Sequence, residues 1–211
     1  MKKILIVDDH AIVRQGLKQI LKDEFAFVTF GEVGSAAEAV EAVQDGVWDL
    51  VILDLFLPGR GGFEVLKEIK HIKPKLQVLV HSMHDEDEFA IRALRNGASA
   101  YICKTEPSIE ILKAVHKLFA GGKYVSASLA EKLAEDISGD LESPDHETLS
   151  NREFSIMLLI AAGKTLTDIG NELSLSPKTV STYRSRILDK MKFKSNADLI
   201  KYVLSHKLNE S

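Results

Sequence analysis

The stretch KILIVDD, residues 3–9, decides the fold, because a short apolar run stops there at two adjacent carboxylates. Two later apolar runs also stop at a charged residue: residues 50–53 precede Asp54, and residues 100–103 precede Lys104. Short apolar runs that end in this way are typical of buried strands. The carboxyl ends of parallel strands meet along one edge of a sheet, where ligands bind. We therefore expect these charged side chains to lie together in one crevice.

Outward from this stretch, the first 120 residues alternate between short apolar runs and amphipathic segments, which is typical of a parallel α/β sheet. The segment after the first run carries Val13, Leu17 and Leu21 at helical spacing. Gly97 precedes the last run and suits a helix C-cap, since glycine takes positive φ without penalty. The pattern predicts a five-stranded doubly wound parallel sheet with strands at residues 3–8, 26–30, 49–54, 77–81 and 99–103.

The last 64 residues show helical patterns only. Ser150 and Thr165 each begin a capping-box pattern, and Ser176-Pro177 suits the start of a third helix. Only residues 174–176 separate the second helix from the third, which is the short turn of a helix-turn-helix. A fourth helix is predicted from about Ser195. This part of the chain is therefore expected to form a small all-α domain.

Charge is spread unevenly over the 211 residues, whose net charge is −4. Residues 123–147 combine a short predicted helix at 126–137 with an acidic segment that contains Gly and Pro and is typical of a linker. Residues 148–211 carry ten basic and six acidic side chains. A basic segment on an acidic chain favours a nucleic-acid partner. We therefore predict three parts, at residues 1–122, 123–147 and 148–211.

The cysteine count and the lengths of the apolar runs predict the cellular compartment. Its one cysteine, Cys103, cannot form an internal disulfide, which fits a reducing cytoplasm. Asp8 and Asp9 end the first apolar run too early for a signal peptide. No run approaches the ~18 apolar residues that a membrane span needs. We expect a soluble cytoplasmic protein without a membrane partner.

The acids at the strand ends suggest a specific chemistry. Asp8, Asp9 and Asp54 offer hard oxygen ligands, which suit Mg²⁺. The Asp54 carboxylate could attack a phosphoryl group while Mg²⁺ and Lys104 neutralise the charge on its oxygens. Ser82 ends the fourth predicted strand and supplies a hydroxyl at the same edge. Four strand ends that agree in this way favour a site over a set of solvated acids.

These residues resemble the receiver domain of a bacterial two-component response regulator. The motifs that carry the resemblance are Ile6-Val7-Asp8-Asp9-His10, Leu53-Asp54 with Pro58 four residues on, Ser82, and Tyr101-Ile102-Cys103-Lys104. The likeness covers about residues 1–120 and implies the flavodoxin-like fold of receivers. It implies that Asp54 is the phosphoacceptor, which takes a phosphoryl group from a sensor histidine kinase. The implied Mg²⁺ ligands are Asp8, Asp9, Asp54 and the backbone carbonyl of Phe56. The residues implied to sense the phosphoryl group are Ser82, Lys104 and Tyr101, with Tyr101 turning inward as Ser82 moves.

Three neighbours of these motifs are individual to this chain. Phe56 and His84 lie two residues past the acceptor and past the hydroxyl, where they flank the route of a hydrolytic water. We expect the bulky Phe56 ring to slow loss of the phosphoryl group. His84 is expected to be a surface loop histidine, and His10 a neighbour of the acids and not a ligand.

The third helix of the last 64 residues has two distinct sides. At about 100° per residue, Val180, Ile187 and Met191 share one side, which suits the core. The opposite side carries Lys178 and small hydroxyl residues that can approach base edges in a major groove. We therefore expect this helix to read double-stranded DNA.

The segment from Leu149 to Met191 resembles the LuxR-type helix-turn-helix, with a likeness that covers about residues 148–208. Together with the receiver it makes the chain similar to a NarL/FixJ-type response regulator. The resemblance implies that the base-reading residues are Ser181, Thr182 and Ser185. The implied backbone contacts are Lys178, Thr179 and Arg186, with Arg184 closer to the core edge.

Three functions compete. A phosphatase of the haloacid dehalogenase type would need a second acid two residues past Asp54, where this chain has Phe56, so we expect no enzyme. A DNA-binding regulator with a degenerate receiver would act without phosphorylation, although no member of the acidic set is missing. The leading interpretation is a transcription factor that phosphorylation controls and that forms a homodimer when phosphorylated or DNA-bound. The fourth helix, through Leu199, Ile200 and Val203, is the candidate dimer contact.

Overall fold

A computed structural model describes residues 1–58, 61–83, 86–126, 129–131, 145–206 and 208. They divide into two compact units, Met1–Ile137 and Ser138–Ser211, which are described separately. His84, part of the loop after Pro58 and most of the predicted linker lie outside the described residues. The helix predicted at 126–137 is described at residues 129–131, which are helical. The borders at residues 122 and 147 stay a prediction.

The first unit is the predicted doubly wound sheet, with five parallel strands in the order β2-β1-β3-β4-β5. The strands are β1 Lys2–Val7, β2 Val28–Val33, β3 Leu50–Leu53, β4 Gln77–Ser82 and β5 Ala100–Cys103. The helices that follow them in turn are α1 Ala11–Glu24, α2 Ala36–Asp45, α3 Gly62–Ile72, α4 Glu86–Arg95 and α5 Ser108–Phe119. Gly97 has φ +98°, as expected for a residue that ends a helix.

The central strands are apolar without alternation because helices cover both faces of the sheet. Ile4, Ile52 and Leu79 form one layer with Leu21 of α1 and Val115 of α5, and all five are almost fully buried. Burying a side chain of this size stabilises the fold by about 1.5–3 kcal/mol. This packing holds the strands in a fixed register, and the register in turn positions the strand ends.

The strand ends meet because of that register. Val7 pairs with Leu53 across β1 and β3, so the residues that follow them lie side by side. The Asp54 amide donates to the Val7 carbonyl at 2.9 Å, and the Lys104 amide donates to the Ser82 carbonyl at 2.7 Å. The charged residues predicted to share one crevice therefore extend from the same edge of the sheet.

The described residues of the second unit form a 3₁₀ turn at Asp145–Thr148 and four α-helices. The helices are α6 Asn151–Ala161, α7 Leu166–Leu173, α8 Pro177–Lys190 and α9 Asn196–Ser205. The capping boxes predicted at Ser150 and Thr165 are both present, and Ser195 makes a third with Asp198. Across the described parts of both units, no helix has the length and apolar character to cross a bilayer.

The turn between α7 and α8 is tight. Ser174 takes the left-handed conformation with φ 51°, and the Leu175 amide donates to the Gly170 carbonyl at 2.8 Å. A Cβ at Gly170 would lie 2.7 Å from the Leu175 carbonyl oxygen, which is too close for a carbon–oxygen contact. The glycine is therefore required by the turn itself.

Candidate functional site

An ion cluster lies where the strands end. The Lys104 Nζ donates to Asp8 Oδ2 and to Asp54 Oδ2, both at 2.7 Å. Asp8 is 2% exposed and Asp54 is 4% exposed, so both carboxylates are buried. The Lys104 ammonium thus bridges the ends of β1 and β3 from the end of β5.

The remaining oxygens of these carboxylates are held by backbone amides. Asp54 Oδ1 accepts from the Phe56 amide at 3.1 Å, and Asp8 Oδ1 accepts from the His10 amide at 2.8 Å. Asp9 is more exposed than either and reaches His10, with 2.8 Å between Asp9 Oδ1 and His10 Nδ1. One candidate ligand atom from each of Asp8, Asp9, His10 and Asp54 lies within 4.8 Å of the others.

Burial controls the electrostatics of the cluster. It raises the pKa of Asp54, and the neighbouring Asp8 charge acts in the same sense, while Lys104 opposes them. Burial by itself would lower the pKa of Lys104, but the two carboxylates outweigh it and raise that pKa. Lys104 is therefore a firmly charged ammonium, and it offsets one of the three aspartate charges.

The donor set fits a hard divalent cation. Three carboxylates and one ammonium leave a negative excess at the crevice, and all three carboxylates present oxygens. Oxygen ligands of this kind suit Mg²⁺, which usually keeps several waters in addition to one or two carboxylates.

Ser82 and Tyr101 are both buried, Ser82 at the end of β4 and Tyr101 within β5. Ser82 is fully buried, and its Oγ has no hydrogen-bond partner among the described residues. A buried hydroxyl left without a partner costs about 1–3 kcal/mol, so a ligand oxygen at this place would be stabilised. Tyr101 is 1% exposed, which excludes a half-exposed strand tyrosine and places its ring inside the unit.

Phenylalanine rings form a wall near Asp54. Phe56 and Phe89 have ring centroids 5.8 Å apart, and Phe89 stacks on Phe63 at 6.2 Å. Behind them α3 approaches very closely, since a Cβ at Gly62 would lie 2.5 Å from the Asp54 carbonyl oxygen. Phe56, two residues after Asp54, is therefore packed among other aromatic rings, and α3 lies close against the backbone of Asp54 and Leu55.

Sequence reasoning missed Arg14. Its guanidinium NH1 donates to the Asp8 backbone carbonyl at 2.6 Å, and its Nε lies 3.5 Å from Glu32 Oε2. Arg14 thereby ties α1 to the turn that carries Asp8 and Asp9. The available signal was an arginine five residues after the acidic pair, in the first turn of α1.

The structure places most of the predicted DNA-contact residues on the outward face of α8. We use this name for the surface formed by Lys178, Thr179, Ser181, Thr182, Ser185 and Arg186, of which all but Ser181 are exposed. The Thr182 hydroxyl donates to the Lys178 carbonyl at 3.1 Å, which leaves its oxygen able to accept. The core side is as predicted, since Val180, Ile187 and Met191 are buried.

The Arg184 side chain contacts α9 and is not part of the outward face of α8. Its Nε donates to Asn196 Oδ1 at 2.6 Å, so the side chain joins α8 to the start of α9. Lys190 is also used internally, with its Nζ 2.6 Å from Glu153 Oε2 at the start of α6. Both residues hold the helices of the second unit together.

The dimer contact predicted on α9 needs correction. Leu199 and Val203 are fully buried within their own unit, so neither can reach a partner chain. Ile200 is half-buried, and Leu204 is the large apolar residue of α9 that is exposed, at 57%. A surface on this helix would therefore centre on Leu204.

Comparison with known proteins assigns a family to each of the two parts of the chain. Residues 4–116 match the family model "Response regulator receiver domain", and residues 147–203 match "Bacterial regulatory proteins, luxR family". Response regulator GacA of Pseudomonas syringae pv. syringae is 33% identical over 98% of this chain and 97% of its own length. Response regulator UvrY of Escherichia coli (strain K12) is 30% identical over 99% and 96%.

Solved structures give the same assignment. A two-component response regulator of the LuxR family from Aurantimonas sp. SI85-9A1 is 31% identical, with a TM-score of 0.60 over 65% of this chain and 98% of that one. RcsB of Salmonella enterica serovar Typhimurium, bound to a promoter in the presence of phosphomimetic BeF3⁻, is 25% identical, with a TM-score of 0.60 over 96% and 97%. The chain belongs to the NarL/FixJ-type response regulators, a family of transcription regulators in which a receiver domain precedes a LuxR-type helix-turn-helix.

Proposed function

We propose that Asp54 is the phosphoacceptor of a switch that controls DNA binding. An Asp54 carboxylate oxygen attacks the phosphorus of a phosphohistidine on a sensor kinase. The new O–P bond forms as the P–N bond to the imidazole breaks, and the imidazole leaves. Burial of Asp54 with Lys104 at 2.7 Å supports this role, because the ammonium already lies beside the carboxylate where it can neutralise phosphoryl oxygens.

Mg²⁺ would be held by Asp8, Asp9, Asp54 and the Phe56 carbonyl, and when bound it supplies charge neutralisation for the transferring group. The Phe56 amide already holds Asp54 Oδ1 at 3.1 Å, which orients the carboxylate. Ser82 would donate its hydroxyl to a phosphoryl oxygen, and the absence of a partner for that buried hydroxyl among the described residues supports this.

Switching would run from Ser82 to Tyr101. The two residues lie on neighbouring strands: Ser82 ends β4, and Tyr101 within β5 pairs with Val80, two residues before Ser82. The Tyr101 ring is already buried in this structure, so movement of the Ser82 hydroxyl toward the phosphoryl group would stabilise this inward position against an outward one. Such a switch biases two existing states of the receiver and creates no new one.

The switch would control binding of double-stranded DNA by the outward face of α8. Lys178, Thr179 and Arg186 would meet phosphates, and Ser181, Thr182 and Ser185 would read base edges. Arg184 retains terminal N–H groups that could reach a phosphate while its Nε holds Asn196. A homodimer formed through α9 around Leu204 would place two such helices on symmetric half-sites.

One observation carries the proposal: the Lys104 ammonium joins Asp8 and Asp54 next to a buried hydroxyl without a described partner. Incubation with acetyl phosphate and Mg²⁺, followed by intact-protein mass spectrometry, tests it. We expect one phosphoryl group on the native chain and on Asp23→Asn, an exposed aspartate of α1. We expect none on Asp54→Asn, and none on the native chain when EDTA removes Mg²⁺.

Two results would contradict the proposal. Equal incorporation into native and Asp54→Asn chains would place the phosphoryl group elsewhere. No incorporation into the native chain would favour a DNA-binding regulator whose receiver works without phosphorylation.

A further inference from the structure

We propose that His10 is a nitrogen ligand of the metal site, so that this site favours divalent transition metals over Mg²⁺ more strongly than oxygens alone would. The inference rests on the proposed function in one respect, namely that Asp8, Asp9 and Asp54 hold the metal. It revises the expectation that His10 is only a neighbour of the acids.

His10 Nδ1 lies 2.8 Å from Asp9 Oδ1 and 3.3 Å from Asp8 Oδ1. Two ligands at right angles around an ion with bonds of about 2.1 Å are about 3.0 Å apart. The imidazole nitrogen therefore lies at the spacing of adjacent ligands from two carboxylate oxygens at once.

The backbone holds the ring in this place. The His10 amide donates to Asp8 Oδ1 at 2.8 Å, and the residue precedes α1 in an extended conformation with φ −86° and ψ 105°. Its side chain makes no capping bond to the helix, and Nδ1 lies instead against the two carboxylates. The side chain is 66% exposed, which leaves an ion an open path to it.

The chemistry of the ligand atoms determines which metal ion the site prefers. Imidazole suits nickel, copper and zinc, and affinity for a mixed nitrogen and oxygen site rises from Mn²⁺ to Cu²⁺. Mg²⁺ prefers oxygen and keeps several waters, so it loses little when an imidazole is absent. Removing His10 should therefore weaken binding of a transition metal while Mg²⁺ binding stays almost unchanged.

Calorimetric titration of the full chain with NiCl₂ and with MgCl₂ tests this. We expect His10→Ala and His10→Asn to lower Ni²⁺ affinity at least tenfold and to change Mg²⁺ affinity less than twofold. His71→Ala, which removes an exposed histidine of α3, should change neither. Asp54→Asn should weaken both metals, because they share that carboxylate.

The outcomes separate the two proposals. Unchanged Ni²⁺ affinity in both His10 variants would overturn this inference while Mg²⁺ binding and phosphorylation of Asp54 persist. A loss of Ni²⁺ affinity that is as large in His71→Ala would also overturn it, since the nickel would then bind outside the crevice. Mg²⁺ binding that does not respond to Asp54→Asn would instead contradict the proposed function.

Discussion

Phe56 follows the proposed phosphoacceptor by two residues, and its ring packs 5.8 Å from that of Phe89. The apolar ring offers no group that could orient a hydrolytic water at Asp54. We predict that Phe56→Asn shortens the lifetime of the phosphorylated chain about tenfold, which is less than the ~100-fold or more that a general base contributes, because asparagine orients water without taking its proton.

The decay of the phosphorylated chain after removal of the phosphodonor measures this lifetime. Phe27→Asn is the matched control, because Phe27 is 79% exposed and precedes β2, at the opposite end of the sheet from the site. An unchanged lifetime for Phe56→Asn would show that the ring does not limit hydrolysis.

His81 gives a prediction for pH. Burial lowers its pKa to about 4, with the Lys104 charge acting in the same sense and Asp8 opposing. The unfolded chain, with a histidine pKa near 6.5, takes up a proton that the folded chain resists, so stability falls as pH drops from about 6.5 to about 4. Between pH 7 and pH 5 this residue should contribute a loss of about 2 kcal/mol.

Urea unfolding of the native chain and of His81→Leu at both pH values measures that contribution. The variant should lose about 2 kcal/mol less than the native chain over this interval. Equal losses in the two chains would mean that His81 is protonated in the fold as readily as outside it.

At the scale of elements, replacing glycine by alanine is expected to have opposite effects at Gly170, next to the α7–α8 turn, and at Gly16 in α1. Gly170→Ala should destabilise the chain by about 1–3 kcal/mol, because the new methyl group would lie 2.7 Å from the Leu175 carbonyl oxygen. Gly16→Ala in α1 meets nothing within 4 Å and should stabilise by about 0.5–1 kcal/mol.

Urea unfolding followed by circular dichroism measures both free energies of unfolding. Gly170→Ala should in addition weaken DNA binding, since the turn orients α8 against α7. A stable Gly170→Ala chain with native DNA affinity would show that the turn tolerates a side chain.

The outward face of α8 predicts two different kinds of loss on DNA. Lys178→Ala should weaken binding to every sequence and reduce the salt slope by about 1, if Lys178 meets a phosphate. Thr182→Ala should leave the salt slope unchanged and relax preference at one base position.

Binding to specific and mixed-sequence duplexes at several salt concentrations distinguishes the two. Lys201→Ala is the matched control for Lys178, as an exposed lysine on α9 away from the outward face of α8. Equal weakening on all sequences by Thr182→Ala would refute its role as a base reader.

At the scale of the whole molecule, the sequence predicted what periodicity and strand ends determine. The five strands and the convergence of Asp8, Asp54 and Lys104 follow from short apolar runs, since parallel strands must end at one edge. The core side of α8 follows from helical spacing in the same way.

The features that the sequence could not predict are contacts between side chains and other elements of the fold. The bond from Arg14 to the Asp8 carbonyl, the turn of Arg184 toward Asn196 and the burial of Leu199 each require knowing which helix lies opposite. The His10 ring likewise needed coordinates, because sequence alone does not say on which side of the acidic turn its nitrogen lies.

The central claim is that phosphorylation of Asp54 controls DNA binding. The most direct measurement is DNA affinity and oligomeric state, with and without acetyl phosphate plus Mg²⁺, for the native chain and Asp54→Ala. We predict that the donor promotes dimers and tighter DNA binding in the native chain only. Equal binding by both chains, with or without donor, would contradict the account and place control outside the acidic cluster.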